Sequence, residues 1–276
     1  MSFTFHRHYR GPLQAAVFDW AGTTCDYGCC APAVVFVDVF ARKGVAIAMD
    51  EARGPMGANK RTHVEEITLV PRVAALWREV HDRPCTQADI DAMYADFIPL
   101  QLACLRDYAD LIPGTIETAA DLRRRGMKIG STTGYSSEMM DILVPEAKGR
   151  GYAPDSTVSA SDVPAGRPAP WMALRSAMDL GVYPMEAVVK VGDTVPDIAE
   201  GLNAGMWTVG VTKTGNEVGL TEAEIAALAP GQLAVRMKKA DERLTQAGAH
   251  YVIDGIADLP PVIDDINIRL ARGERP

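Results

Sequence analysis

The chain has 276 residues, 47% of them hydrophobic, and a formal net charge of -8 at pH 7. This length and apolar content can bury a full core and lie near the size at which one domain becomes two. The acidic balance argues against nucleic acid or an anionic membrane as a partner, because the average field repels polyanions.

Five cysteines, Cys25, Cys29, Cys30, Cys85 and Cys104, are odd in number and form no C-x-x-C pair. A chain this long does not need disulfides, so a reducing cytoplasm is the expected setting. Residues 1–10 are polar and aromatic without the apolar stretch of an export signal, and the longest apolar run, residues 31–37, is far too short to span a bilayer. A soluble, unexported protein with no membrane partner is expected.

In chain order, residues 13–18 read as a short buried strand that ends abruptly in Asp19-Trp20-Ala21-Gly22-Thr23-Thr24. After Pro32 the sequence turns helical: 33–43, about 55–69, 73–80, and a long helix that Thr86 caps with Asp89 three residues on. From Pro113 helices and strands alternate. Helix 114–125 precedes strand 127–131, helix 137–148 precedes strand 157–159, helix 169–180 precedes strand 187–191, and helix 194–203 precedes strand 207–211. Residues 221–248 read as two further helices and 251–254 as a last short strand. The alternation predicts an α/β fold, a Rossmann-like parallel sheet with helices on both faces. The expected division is a core of residues 1–27 and 105–276 with an inserted α-helical cap, residues 28–104. No internal repeat or low-complexity tract is visible.

In open α/β sheets ligands bind beyond the carboxyl ends of the strands. There the sequence puts Asp19, Thr133 with Gly134, Arg167, and Asp193 with Asp197. Singly, each has an ordinary explanation: Asp19 starts a turn, Thr133 caps a helix, Asp193 is an N-cap and Asp197 sits favourably in a first helical turn. Together, three carboxylates, a hydroxyl and a cation on successive strands suit a phosphoryl group with Mg²⁺. The site is expected on the surface side of the sheet rather than in its core. In the insertion, Gly54-Pro55 reads as a helix start, which sets Met56, Lys60, His63 and Ile67 along one stripe. The alternative for Lys60 is a solvated basic face. Cys25, Cys29 and Cys30 lack the spacing of a zinc knuckle.

The strand-end set resembles the haloacid dehalogenase superfamily. The resemblance implies that Asp19 attacks phosphorus, Thr133 binds the phosphoryl oxygens, Arg167 neutralises them, and Asp19, Asp193, Asp197 and the backbone carbonyl of Ala21 hold Mg²⁺. Phosphatases of that superfamily usually carry a second Asp two residues after the nucleophile to protonate a departing oxygen; here that position is Ala21. A carbon leaving group needs no such acid. It needs an electron sink, which an iminium on a lysine provides.

Several segments resemble the phosphonoacetaldehyde hydrolase family more closely: Phe18-Asp19-Trp20-Ala21-Gly22-Thr23-Thr24, Asp26-Tyr27-Gly28-Cys29, Met56-Gly57, Lys60, His63 and Ser131-Thr132-Thr133-Gly134-Tyr135. This resemblance implies a Schiff base on Lys60 and cleavage of the carbon–phosphorus bond of a small phosphonate, phosphonoacetaldehyde, to acetaldehyde and phosphate, within 2-aminoethylphosphonate degradation. It further implies that His63, Tyr135, Cys29 and Met56 surround the imine, that Gly57 and Gly134 adjoin the substrate, and that the chain forms a homodimer through the cap. A lysine of ordinary pKa, about 10.4, is protonated at neutral pH, so the site must lower it. The rivals are a phosphate monoesterase or phosphomutase, which Ala21 disfavours, and a catalytically inactive metal- or phosphate-binding protein, which intact Asp19, Lys60, Asp193 and Asp197 disfavour.

Overall fold

The computed structural model describes residues 8–276, so residues 1–7 of the polar N-terminal segment lie outside the described residues. The first strand, β1 (Ala15–Phe18), is buried throughout. Five helices then follow with no intervening strand: α1 (Cys30–Arg42), α2 (Met49–Arg53), α3 (Lys60–Leu69), α4 (Pro71–His81) and α5 (Gln87–Cys104). They pack on one another, α1 against α5 and α2, and α3 against α4 and α5, and form the helical insertion expected from the sequence.

The remaining chain alternates. α6 (Thr115–Arg124), β2 (Lys128–Thr133), α7 (Ser137–Gly149), β3 (Ser156–Ser159), α8 (Trp171–Leu180), β4 (Val188–Gly192), α9 (Val195–Asn203) and β5 (Trp207–Val211) come first. α10 (Glu222–Ala227), α11 (Pro230–Gln246), β6 (Tyr251–Ile253) and α12 (Leu259–Ala271) complete it. The six strands run in the order β3-β2-β1-β4-β5-β6, every neighbouring pair parallel. Period-two alternation sends Ala16 and Phe18 of β1 to one face of the sheet and Ala15 and Val17 to the other, where Ala173 and Ala177 of α8 meet them. Because β1 lies between β2 and β4, the residue after it emerges at mid-sheet with the ends of both neighbours beside it.

Two elements depart from the sequence expectation. The helix expected over 55–69 begins only at Lys60, as α3: residues 54–59 form a loop between α2 and α3 in which Gly57 has φ 93°, and Asn59 caps α3 by accepting from the Thr62 N–H at 2.9 Å. Met56 therefore lies on this loop and not on a helical stripe with Lys60. The second departure is α12, which the sequence reading did not include. Its tandem prolines sit in the first turn, where a missing N–H costs nothing, and Leu259, Ile263, Ile266 and Leu270 make a buried stripe. Among the described residues no helix is long and apolar enough to cross a membrane.

Candidate active site

Asp19 follows β1, Thr133 ends β2, and Asp193 follows β4, so topology alone collects them. The carboxylates of Asp19, Asp193 and Asp197 lie within 4.8 Å of one another, all buried. Arg167, from the loop before α8, donates through Nη2 to Asp19 Oδ1 at 2.7 Å, approaches Asp197 Oδ1 at 3.0 Å and donates through Nε to Glu200 Oε2 at 3.0 Å. Asp193 is 0% exposed, so this carboxylate cluster sits inside the protein and not on the surface side of the sheet. The loops after β1 and β5 close over Asp193, through Gly22, Thr23, Gly215 and Asn216, while Met56, Gly57 and Lys60 of the insertion line the cavity on the Asp19 side.

Helix α9 shows how local sequence sets this geometry. Thr194 is its N-cap, and Asp197, three residues on, lies in the first turn where the helix dipole favours an anion. Asp197 Oδ2 accepts from Thr194 Oγ1 at 2.5 Å and Oδ1 from Lys190 Nζ at 2.7 Å. Burial alone would raise the Asp197 carboxyl, but Arg167, Lys190 and Thr194 outweigh it and hold it below the ordinary value. Asp193 has no such help. Burial first, then the charges of Asp19 and Asp197, push it well above the ordinary value, although Thr23 Oγ1 and the Asn216 N–H donate to its two oxygens at 3.1 and 2.7 Å. Burial also pushes Asp19 up, with Arg167 pulling against it and Asp197 adding to the rise.

The buried charges do not balance. Asp19, Asp193, Asp197 and Glu200 share two directly paired cations, Arg167 and Lys190, and neither of these pairs with Asp193; Lys60 is buried nearby on the Asp19 side. The deficit falls at Asp193, and hard carboxylate oxygens are the donors a divalent cation such as Mg²⁺ prefers. The residues present therefore fit a metal ion held by Asp19 and Asp193.

Lys60 approaches from the insertion. With Asp19, Ala21, Cys29, Met56, Gly57, Thr133, Gly134, Tyr135, Arg167 and Thr194 it lines a cavity of about 20 Å³. It is 6% exposed and is the first residue of α3. Its Nζ lies 4.8 Å from the centre of the Tyr135 ring and 5.9 Å from that of Phe36. Burial lowers its pKa below the ordinary 10.5; Cys29 and Asp19 act in the opposite sense, Arg167 in the same. The Cys29 thiol is itself pushed well up by burial, so it is uncharged near neutrality and its opposition is absent there. The positive end of the α3 dipole further disfavours an ammonium at this position. Burial likewise holds Tyr135 well above its ordinary value, as a neutral phenol.

His63 lies behind this cavity rather than in its wall. It is fully buried, stacks on Phe36 with ring centres 3.8 Å apart, and its Nε2 is 2.7 Å from the Ala52 carbonyl oxygen. Burial, with Lys60 nearby, holds it well below its ordinary pKa, so it is a neutral imidazole. Gly57 and Gly134 let the insertion and the core meet backbone to backbone. A Cβ on Gly57 would stand 2.3 Å from Thr194 Oγ1, and one on Gly134 would stand 2.7 Å from the Ala58 carbonyl oxygen.

The sequence reading missed Lys190 and Glu200, whose side chains support Arg167 and Asp197. The signal was present in both cases. Lys190 is a charge inside the apolar run Val188-Val189-Lys190-Val191, and Glu200 follows Asp197 by three residues on one face of α9. Asn216 and Arg53, also missed, carry no local signal.

The pattern of the haloacid dehalogenase-like hydrolases matches residues 13–205. The chain is similar to a phosphonoacetaldehyde hydrolase of Nitratidesulfovibrio vulgaris, with 55% identity over 98% of this chain and 96% of that one. It is 49% identical to one of Syntrophobacter fumaroxidans, over 99% of each chain. The crystal structure of a phosphonoacetaldehyde hydrolase-like protein from Oleispira antarctica superposes with a TM-score of 0.97 at 43% identity, covering all of both chains. The strand-end carboxylates, the buried lysine of the helical insertion and near full-length identity converge on one conclusion: the chain belongs to the haloacid dehalogenase-like hydrolases and, within them, to the phosphonoacetaldehyde hydrolase family.

Proposed function

We propose that the protein hydrolyses the carbon–phosphorus bond of phosphonoacetaldehyde, giving acetaldehyde and phosphate. The observation that carries this reading is Lys60 and Asp19 lining one buried cavity with Ala21 at the position where an oxygen leaving group would need an acid. Uncharged Lys60 condenses with the aldehyde, releasing water and leaving an iminium two bonds from phosphorus. Asp19, held by Arg167, attacks phosphorus, and the electron pair of the breaking bond moves into the iminium to leave a neutral enamine. Thr133 and Arg167 bind the phosphoryl oxygens, while Tyr135, Cys29 and Met56 wall the imine and limit stray water. Protonation of the enamine carbon by solvent returns an iminium, and hydrolysis of this and of the aspartyl phosphate by water releases acetaldehyde and phosphate and regenerates both side chains. Mg²⁺, held by Asp19, Asp193 and the Ala21 carbonyl with Asp197 behind them, would offset charge on the phosphoryl group.

In the same reading residues 28–104 are the cap over a core of 1–27 and 105–276, and the protein works in the cytoplasm within 2-aminoethylphosphonate degradation. It is a homodimer through the cap, where Val34 stands 38% exposed on α1; sedimentation at a mass of one chain would sink that part. The function is tested by incubating the protein with phosphonoacetaldehyde and Mg²⁺ while following acetaldehyde and phosphate, which should appear in equal amounts. Phosphate release from p-nitrophenyl phosphate at an equal rate would contradict the assignment, because Ala21 supplies no acid.

A further inference from the structure

The cavity shared by Asp19 and Lys60, about 20 Å³, has room for one water and not for a phosphonate bearing an aldehyde. Loading the site requires the inserted helices to part from the sheet, and some contact must then bring them back. The backbone approaches at Gly57 and Gly134 shape that closure but offer no strong directional bond.

A directional contact lies beside them, at the end of α2. Arg53 Nη1 donates to the carbonyl oxygens of Gly28 and Cys29 at 2.7 and 3.1 Å, and to Asn216 Oδ1 at 3.2 Å. Asn216 Nδ2 returns a bond to the Arg53 carbonyl oxygen at 3.2 Å, and the Asn216 N–H donates to Asp193 Oδ2 at 2.7 Å. Arg53 and Asn216 are 9% and 5% exposed. One guanidinium thus ties together the insertion, the chain segment entering it, and the loop after β5 that holds Asp193.

The character of the contact matters as much as its position. The acceptors in hydrogen-bond reach of Arg53 are neutral, the carbonyl and amide oxygens and Cys30 Sγ at 3.6 Å, and its buried Nε has no partner. The carboxylates of Asp26, Glu217 and Glu224 act on it without pairing directly. Burying a guanidinium with no carboxylate in direct contact recovers only part of its lost hydration. Such a contact is poor as a permanent fastening. It is well suited to one that breaks and reforms, because opening returns the cation to water.

We propose that Arg53 and Asn216 form a latch that holds the inserted helices on the sheet and sets how often the Lys60 cavity opens. Both are positioning residues: they act on Lys60 and Asp193 through the backbone they tie. The inference rests on reading Lys60 as the amine of a closed site, but its test needs no turnover. A failed latch and a failed reaction assignment are therefore distinguishable.

The test is a brief pulse of acetic anhydride on the full chain without substrate, with acetylation of Lys60 and Lys190 read by mass spectrometry. Lys190, 0% exposed on β4, reports unfolding of the core. In Asn216→Ala, Lys60 should be acetylated about tenfold faster, the scale of one lost hydrogen bond to a charged group, while Lys190 stays protected. Arg53→Lys should behave alike, since it keeps the charge but not the planar fork. In both variants KM for phosphonoacetaldehyde should rise more than kcat falls. Unchanged Lys60 acetylation with Lys190 protected would overturn the latch. So would Lys60 and Lys190 rising together in Arg53→Lys, the variant that decides the matter should Asn216→Ala unfold.

Discussion

Lys60 can attack an aldehyde only as a free amine, and every local influence that survives near neutrality favours that form except the carboxylates of Asp19 and Asp26. Because its folded pKa lies below 10.5, the uncharged fraction at a given pH exceeds that of a free lysine. Between the folded and unfolded values the unfolded chain binds more protons, so this residue's contribution to stability rises with pH. Borohydride added with acetaldehyde should trap a secondary amine on Lys60, at a rate that climbs with pH to a midpoint below that of free lysine. Lys60→Arg keeps a cation but cannot form the imine, so carbon–phosphorus cleavage should fall by several orders of magnitude, as when a covalent step has no substitute. An Arg variant retaining most activity, or reductive labelling on Lys128 instead, would refute the Schiff base.

At the scale of elements, α1 shows a motif acquiring a physical explanation. Asp26, in the run that resembles the family, accepts from the N–H groups of Cys30 and Ala31 at 2.9 and 3.0 Å, closing the start of α1 beside the site. Burial raises its pKa from 3.8 to about 6 despite these bonds. The folded state thus holds the proton more tightly than the unfolded chain. Asp26 contributes most to stability below pH 3.8, and that contribution is lost as pH rises through about 6. Asp26→Asn removes the titration while keeping an acceptor, so a pH series of Tm should fall less steeply for the variant than for the parent over this window. Parallel curves would show that Asp26 does not titrate there. The α2–α3 break is the complementary lesson. A helix continuing through residues 55–69 would satisfy the apolar spacing, yet Gly57 at φ 93° and the Asn59 cap stop it, and the resulting loop brings Gly57 against Thr194.

For the whole molecule the governing quantity is the crowding of negative charge buried at the strand ends. At the strand ends four buried carboxylates share two directly paired cations, Arg167 and Lys190, and burial with the charges of Asp19 and Asp197 pushes the Asp193 carboxyl well above its ordinary value. Mg²⁺ that binds only the folded state should raise Tm in proportion to the logarithm of its concentration, by about 2.7 kcal/mol of stability at a hundred times its Kd. Asp193→Asn relieves the repulsion. It should leave the metal-free protein as stable as the parent or more so, while abolishing the Mg²⁺-dependent rise and the activity. Calorimetry with and without chelator checks both arms; an unchanged Mg²⁺ response in Asp193→Asn would remove Asp193 from the metal site. The sign with pH follows: a carboxyl raised above 3.8 stabilises the metal-free fold at low pH and ceases to as pH rises through its folded value.

The sequence by itself determined the alternating sheet, the helical insertion and the strand-end positions of Asp19, Thr133 and Asp193, because period-two and helical patterns, caps and chain order are local properties. Lys60 was legible only through its surrounding motif, since a lone lysine near a helix start also fits a solvated face. Strand order, the depth of Asp193 and the support of Arg167 by Glu200 and Lys190 were decided by tertiary structure. So was the meeting of Arg53 with Asn216, 163 residues apart in the chain. Which buried charges go unpaired depends on distances between segments, and no local pattern encodes a distance of that kind.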